Sequence, residues 1–175
     1  MWDILAPDAQ SRIFETEEQL IDVAVQPGGN LLVASTASAG LVVWDIETGD
    51  IVTRLSGHSG QVNSVAFNAD GTRLLSGSTD RTVLVWDMTS FSVLQTLEGH
   101  TDWVMDVLFV QPDLGLTASF DSEVLLWRMQ SREQLIAWVC QNRYVRALET
   151  QEAARFGLFR DTYADICTLP DAAAR

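Results

Sequence analysis

The fold of this chain is decided by residues 57–87, whose sequence is GHSGQVNSVAFNADGTRLLSGSTDRTVLVWD. The stretch opens with Gly-His and closes with Trp-Asp. Between them lie short runs rich in β-branched and apolar residues, which favour strands. The Asp-Gly pair at residues 70–71 favours a tight hairpin turn. With the alternating run that follows, the stretch predicts four strands: Gln61–Phe67, Leu74–Ser78, Thr82–Trp86 and, as an outer strand facing solvent, Phe91–Leu97.

The same pattern repeats along the chain, and a fixed period of this length is typical of repeat architectures. Gly-His recurs after 42 residues, at 57–58 and 99–100. The tryptophans are spaced by 42, 42 and 41 residues, at Trp2, Trp44, Trp86 and Trp127. The first three are followed by Asp and the last by Arg. Four short antiparallel strands per period predict an all-β protein made of propeller blades.

The Gly-His and Trp-Asp anchors at this period resemble the WD-repeat β-propeller family over about residues 12–128. The resemblance implies three blades of four antiparallel strands at residues 12–130. Residues 1–11 would be a remnant of a preceding blade, because Trp2-Asp3 matches the end of a repeat. Three repeats form an incomplete ring, since propellers have about four or more blades.

The resemblance also implies that one His, hydroxyl, Asp and Trp of each repeat form a structural hydrogen-bond network. The alternative is a hydrolase site built on the same residues. A catalytic triad occurs once per site, whereas this set recurs at the repeat spacing without a Gly-x-Ser-x-Gly elbow. We therefore predict no enzyme activity and no catalytic residue. The two sets are His58, Ser76, Asp80 and Trp86, and His100, Thr117, Asp121 and Trp127.

The first repeat departs from this pattern. Thr16 stands at the His position, Ala34 at the hydroxyl position and Ser38 at the Asp position, so that only Trp44 is retained. We expect this blade to be the least rigid of the three and to be held by apolar packing. The residues expected to pack are Leu20, Val23, Val25, Leu32, Val42 and Trp44.

Composition excludes several function classes. The chain has 175 residues and a net charge of −13, and every one of its 11 basic residues is Arg. Without Lys it has neither a Walker loop nor a Schiff-base amine. An acidic surface repels the phosphate backbone, which argues against nucleic-acid binding. No apolar run is long enough to span a membrane and no secretory signal is evident, so the expected location is cytoplasmic.

No metal or cofactor is predicted. Both histidines, His58 and His100, are used by the repeats, and Cys140 and Cys167 lack a Cys-x-x-Cys partner. Two cysteines in a cytoplasmic chain are expected to be free thiols.

Residues 131–175 are predicted to be an α-helical tail. Ser131 to Gln134 fit a capping box, and helices are expected at about Arg132–Leu148 and Gln151–Phe156. This segment resembles the helical tails of bacterial WD-repeat proteins, in which the propeller often follows an NTPase, kinase or protease-like module. An alternative places Gln134–Val139 as the outer strand of the last blade.

The function predicted from the sequence is a non-enzymatic scaffold that binds other proteins or peptides. The alternative is a sensory or regulatory segment of a longer bacterial signalling protein. Upstream blades, a docked tail or self-association would complete the ring, and two copies would supply six repeats. Contacts are expected at the blade ends, where loops and turns emerge. The candidates are Gln61, Thr79, Arg81, Asp102, Trp103 and Phe120.

Overall fold

A computed structural model describes residues 12–129 of the chain. These residues form eleven strands and no helix, and all the strands belong to one compact unit that ends at Arg128. The prediction of an all-β fold of antiparallel blades is therefore confirmed. The predicted remnant at 1–11 and the helical tail at 131–175 lie outside the described residues, so the three-part division of the chain stays a prediction.

The first blade is a four-stranded antiparallel sheet in sequence order, which we call blade 1. It consists of β1 (Leu20–Val25), β2 (Leu31–Thr36), β3 (Gly40–Asp45) and β4 (Ile51–Ser56). Its strands have the alternating side-chain directions of a pleated sheet, so each blade presents one face to each neighbour.

Blade 2 has the same order and pairing. Its strands are β5 (Val62–Phe67), β6 (Arg73–Ser78), β7 (Thr82–Asp87) and β8 (Ser92–Glu98). All four lie within one residue of the predicted limits, because the hairpin turns and the apolar runs both fix the register. The predicted turn at residues 70–71 is present, and Gly71 adopts a left-handed φ of 71°.

Blade 3 contains β9 (Val104–Gln111), β10 (Leu114–Ser119) and β11 (Val124–Arg128), paired antiparallel. The place of a fourth strand lies outside the described residues. Contacts between sheets run from blade 1 to blade 2 and from blade 2 to blade 3.

The core lies between the blades. We call the face that a blade turns toward the next blade its trailing face, and the face toward the preceding blade its leading face. Between blades 1 and 2 these two faces form one buried apolar cluster. It joins Val33, Leu41 and Val43 of the trailing face to Val62, Val65 and Leu74 of the leading face.

The apolar packing predicted for blade 1 is wrong at three positions. Leu20, Val23 and Val25 are exposed, because they lie on the leading face of blade 1. The outer half of that face is buried, since Trp44 packs with Leu32 and with Phe14 from the segment before the first strand.

Candidate functional site

In blade 2 the four predicted residues form one continuous hydrogen-bonded chain. Trp86 Nε1–H donates to Ser76 Oγ at 2.8 Å. Ser76 Oγ lies 2.8 Å from His58 Nε2, and His58 Nδ1 lies 2.9 Å from Asp80 Oδ2. Because a carboxylate only accepts, Nδ1 carries the hydrogen, and the neutral ring accepts the serine O–H at Nε2. This hydrogen-bond network thus ties the loop before β5, strand β6 and strand β7 to one another.

Blade 3 repeats this geometry with threonine in place of serine. Trp127 Nε1–H donates to Thr117 Oγ1 at 2.8 Å, and Thr117 Oγ1 lies 2.7 Å from His100 Nε2. His100 Nδ1 lies 2.8 Å from Asp121 Oδ2. The hydroxyl on the second strand is the shared requirement, which is why Ser and Thr both serve at this position.

The carboxylates of the two networks are held ionised. Burial would raise the pKa of Asp80, but the hydroxyl and N–H of Thr82 and the N–H of Ser59 donate to it and lower its pKa to about 2. Burial would raise the pKa of Asp121 as well, but hydrogen bonds from the backbone N–H groups of Thr101 and Glu123 and from the His100 ring lower it to about 2. Burial lowers the pKa of His58, because the charged ring would lose its hydration, and Asp80 opposes that shift only in part.

The contacts among Ser76, His58 and Asp80 match those of a hydrolase triad, so access decides the chemistry. Ser76 is fully buried, and its oxygen also accepts the indole N–H of Trp86. A nucleophile must reach its substrate, whereas this hydroxyl is enclosed between two rings. The arrangement therefore holds a blade together and is not suited to catalysis.

Blade 1 lacks this network. Ala34 stands where Ser76 stands in blade 2, and the buried Trp44 Nε1 has no hydrogen-bond partner in the described part of the chain. Phe14 covers the indole edge-to-face, with ring centroids 6.3 Å apart. An aromatic contact therefore takes the place of the histidine contact.

The residues at the other two positions of blade 1 join a surface cluster instead. Ser38 Oγ donates to the carboxylate of Glu18, and Arg54 Nε donates to the same carboxylate at 3.2 Å. The pKa of Glu18 is lowered, chiefly by the hydrogen bond from Ser38. Thr16 Oγ1 accepts the backbone N–H of Glu18 at 3.3 Å. These contacts lie at the surface, where ion pairs contribute about 0–1 kcal/mol.

Two of the predicted contact residues form an exposed aromatic pair at the end of blade 3. Trp103 and Phe120 are 49% and 59% exposed, and their ring centroids lie 5.9 Å apart at a tilt of 36°. The backbone N–H of Phe120 donates to the carbonyl of Trp103 at 3.0 Å, which fixes the two residues side by side.

The same backbone bond occurs in the other two blades, with smaller side chains. It joins Thr79 to Gln61 in blade 2, and Ala37 to Gln19 in blade 1. Only in blade 3 are both positions aromatic. The pair is therefore a property of the side chains at one blade end and not of the blade fold.

The remaining contact candidates lie at the same ends of blades 2 and 3. Gln61 and Thr79 are half-buried, while Arg81 and Asp102 are exposed. Arg81 has a positive φ of 73°, in the turn where Ala39 and Ser122 have 69° in their blades. Non-glycine residues are uncommon in this region, so each turn carries a side chain at some backbone cost.

A polar link that the sequence analysis did not predict joins consecutive blades. Asp22 Oδ2 of blade 1 accepts the backbone N–H of Val65 of blade 2 at 2.9 Å. One repeat later, Ser64 Oγ accepts the backbone N–H of Val107 at 3.4 Å and donates to Asp106 Oδ1 at 3.0 Å. The available signal in the sequence was a polar residue at the same position of each inner strand: Asp22, Ser64 and Asp106, spaced by 42 residues.

Within residues 12–129, no group of three or more metal-ligating side chains could hold an ion. The same residues contain no helix with the length and apolarity needed to cross a membrane. Cys140 and Cys167 lie outside the described residues.

Known proteins share both the repeat and the fold. Residues 49–87 and 91–128 match the family model described as WD domain, G-beta repeat. Among solved structures, the chain is similar to the β-propeller domain of Myceliophteria thermophila Cps50 (Swd1), with a TM-score of 0.63 and 20% identity. The similarity covers 67% of this chain and 36% of that chain, so this chain spans little more than a third of it. No curated protein sequence matches this chain.

Proposed function

Because residues 49–87 and 91–128 match the WD-repeat family model and the described blades have the propeller fold, we propose that this chain is a non-enzymatic scaffold that binds other proteins at the ends of its blades. Propellers of this family generally serve as non-catalytic interaction modules. The observation that carries the proposal is the exposed pair of Trp103 and Phe120. Large aromatic side chains that remain exposed and rigidly placed are typical of contact hot spots.

The charge around the pair supports a basic partner. Asp102 precedes Trp103 and is exposed, and the whole chain carries a net charge of −13. An acidic surface steers cationic partners toward it, and Arg or Lys stacks on the face of Trp or Phe. We propose that the partner presents a basic peptide segment to this end, with Gln61, Thr79 and Arg81 along the border of the contact. The cytoplasmic location expected from the sequence is part of the proposal.

A peptide selection tests this function. A displayed random-peptide library would be selected on the immobilised chain, and the recovered peptides, each carrying a fluorophore, titrated against the chain by fluorescence anisotropy. We expect peptides containing Arg or Lys, and we expect Trp103→Ala with Phe120→Ala to weaken their binding by roughly 30-fold or more, as loss of a hot spot does.

The matched control is Leu94→Ala, which removes an equally exposed apolar side chain from the outer strand of blade 2. Binding to that variant should be unchanged. Peptides that bind the double variant as tightly as the parent chain would overturn the assignment of this surface. The role in a longer bacterial signalling protein stays a prediction.

A further inference from the structure

The two blade interfaces within the chain are built the same way. In each, the trailing face of one blade supplies apolar side chains, and the inner strand of that blade accepts a backbone N–H from the inner strand of the next. At the second interface the fit is close, since a Cβ on Gly77 would lie 2.7 Å from the methyl groups of Val104 and Val107. The repeated geometry defines what each face accepts.

The trailing face of blade 3 has the composition of this interface but no blade on it among the described residues. Val124 is 66% exposed, whereas its equivalent in blade 2, Val83, is 0% exposed. Leu108 and Leu126 are exposed in the same way, and register places them opposite Leu116 on one face of the sheet. This face is apolar, as an interblade face must be.

The leading face of blade 1 is open along its inner half. Val23 is 58% exposed, whereas the equivalent Val65 of blade 2 is 5% exposed. Leu20 and Val25 beside it are also exposed. The chain therefore carries both halves of one interface, one at each end of its row of blades.

The two groups of a further polar link are present at the two ends, each with a partner of its own within the chain. Asp106 stands at the position of Asp22 and Ser64, which accept the N–H of the following blade. Asp106 Oδ1 accepts a hydrogen bond from the hydroxyl of Ser64, and the residue is exposed. The donor at the other end is the backbone N–H of Val23, equivalent to that of Val65, and it donates to Asp22 of its own strand at 2.8 Å.

From this complementarity we propose that the chain self-associates head to tail, with the trailing face of blade 3 packed on the leading face of blade 1 of a second copy. Leu108, Val124 and Leu126 then cover Leu20, Val23 and Val25 of the other copy. Asp106 accepts the N–H of Val23 across the contact, in place of Asp22. A second copy is the fitting occupant because it supplies both missing halves at once.

Such a contact is heterologous, so it either closes into a ring or continues into a filament. Two copies bring six blades together, which lies within the range of about four to eight that propellers have. A closed pair leaves neither face open. Because each copy carries a net charge of −13 and the contact is apolar, salt should tighten the association by screening the repulsion.

Sedimentation of the full chain tests the proposal over a roughly 100-fold range of concentration. We expect a species of twice the 19.4 kDa chain mass, favoured by added salt. A chain that sediments as a monomer throughout would overturn the proposal. That result would leave the two faces to an occupant other than a second copy.

Two variants identify the faces. Val23→Glu with Val25→Glu alters the leading face, and Val124→Glu with Leu126→Glu alters the trailing face; each should weaken self-association by roughly 100-fold, because it buries unpaired carboxylates. Mixed together, the two variants should form a one-to-one pair, since each keeps the face that the other has lost. Leu94→Glu, on the outer strand of blade 2, should associate like the parent chain.

The mixture distinguishes this contact from any other. Association that survives in both single-face variants would contradict the proposal, and so would a mixture that stays monomeric. All five substitutions, the control included, lie at exposed positions, and a thermal melt of each variant reports whether the blades remain folded. The mass of the parent chain decides the question even where a variant does not fold.

Discussion

Blades 1 and 2 have the same strand order and the same spacing, and each buries its tryptophan, yet they hold the indole in different ways. In blade 2 Trp86 donates to Ser76 within a network that reaches Asp80. In blade 1 Trp44 is buried against Phe14 with its N–H unpaired among the described residues. The blade shape therefore follows from the apolar pattern and the turns. The polar network is an addition to that shape, and its energetic contribution can be measured by comparing the two blades.

Lowering the pH should produce the largest difference in stability between blades 1 and 2. His58 has a lowered pKa, so the unfolded chain takes up a proton first and stability falls as pH drops below about 6.5. Asp80 and Asp121, with pKa values of about 2 against 3.8, add a second loss between about pH 4 and 2. Thermal melts from pH 7 to 2 should show both windows.

Hydrogen exchange assigns the acid effect to a blade. Between pH 7 and 5, amide protection relative to intrinsic rates should fall more in β6 and β7 than in β2 and β3, because the described part of blade 1 has no histidine. Equal losses in the two blades would contradict this assignment.

Removing the His58 side chain should lower the free energy of unfolding more than removing that of Thr16, which stands at the same position of blade 1. His58→Ala removes one buried hydrogen-bond partner each from Asp80 and Ser76 and should lower the free energy of unfolding by about 1–3 kcal/mol. Thr16→Ala removes the acceptor of one long hydrogen bond from the backbone N–H of Glu18 and should change the free energy of unfolding by less than about 0.5 kcal/mol. Urea denaturation of both variants measures the difference, and equal losses would argue against the equivalence of these two positions.

The same substitution at two equivalent tryptophans isolates one hydrogen bond. Trp86→Phe and Trp44→Phe both remove part of a buried indole, but only the first breaks a bond, to Ser76. We expect Trp86→Phe to lower the free energy of unfolding, measured by urea denaturation, by about 1 kcal/mol more than Trp44→Phe does. If Trp44→Phe proves the more costly of the two, the indole N–H of blade 1 has a partner after all.

Adding the missing hydroxyl to blade 1 should have the smallest effect, and a favourable one. Ala34→Ser places an acceptor at the position from which Ser76 serves Trp86, so Trp44 gains a partner and stability rises by about 0.5–1 kcal/mol. Combining Ala34→Ser with Trp44→Phe is the control, because the gain should vanish without the N–H. A gain that persists in the combined variant would have another cause.

The turns and apolar runs of the sequence predicted the strands of blade 2, and the resemblance to the WD-repeat family implied the members of both networks. Asp80 lies 22 residues from His58, and Asp121 lies 21 residues from His100, so each set can be recognised by its repetition. These features are local to one repeat.

What the sequence did not predict depends on the neighbouring blade. The apolar character of Val23 indicated burial, but burial of an apolar strand residue requires a partner sheet on that side. The place of Phe14 over Trp44 depends on the path of an irregular segment, which no periodicity specifies. The bond from Val65 to Asp22 joins two repeats and becomes visible only when both strands are placed.

The order of contacts along the chain also determines how the molecule unravels. Strand β5 contacts β1 and β2 on one side and β9 on the other, so blade 2 is supported from both directions. In a linear array whose stability is a sum of unit terms and nearest-neighbour terms, the interior unit opens last. Opening therefore proceeds inward from the two ends of the array. During synthesis the blades gain protection in chain order, because blade 1 is secured only when blade 2 has emerged and folded onto it, and blade 2 only when blade 3 has done so.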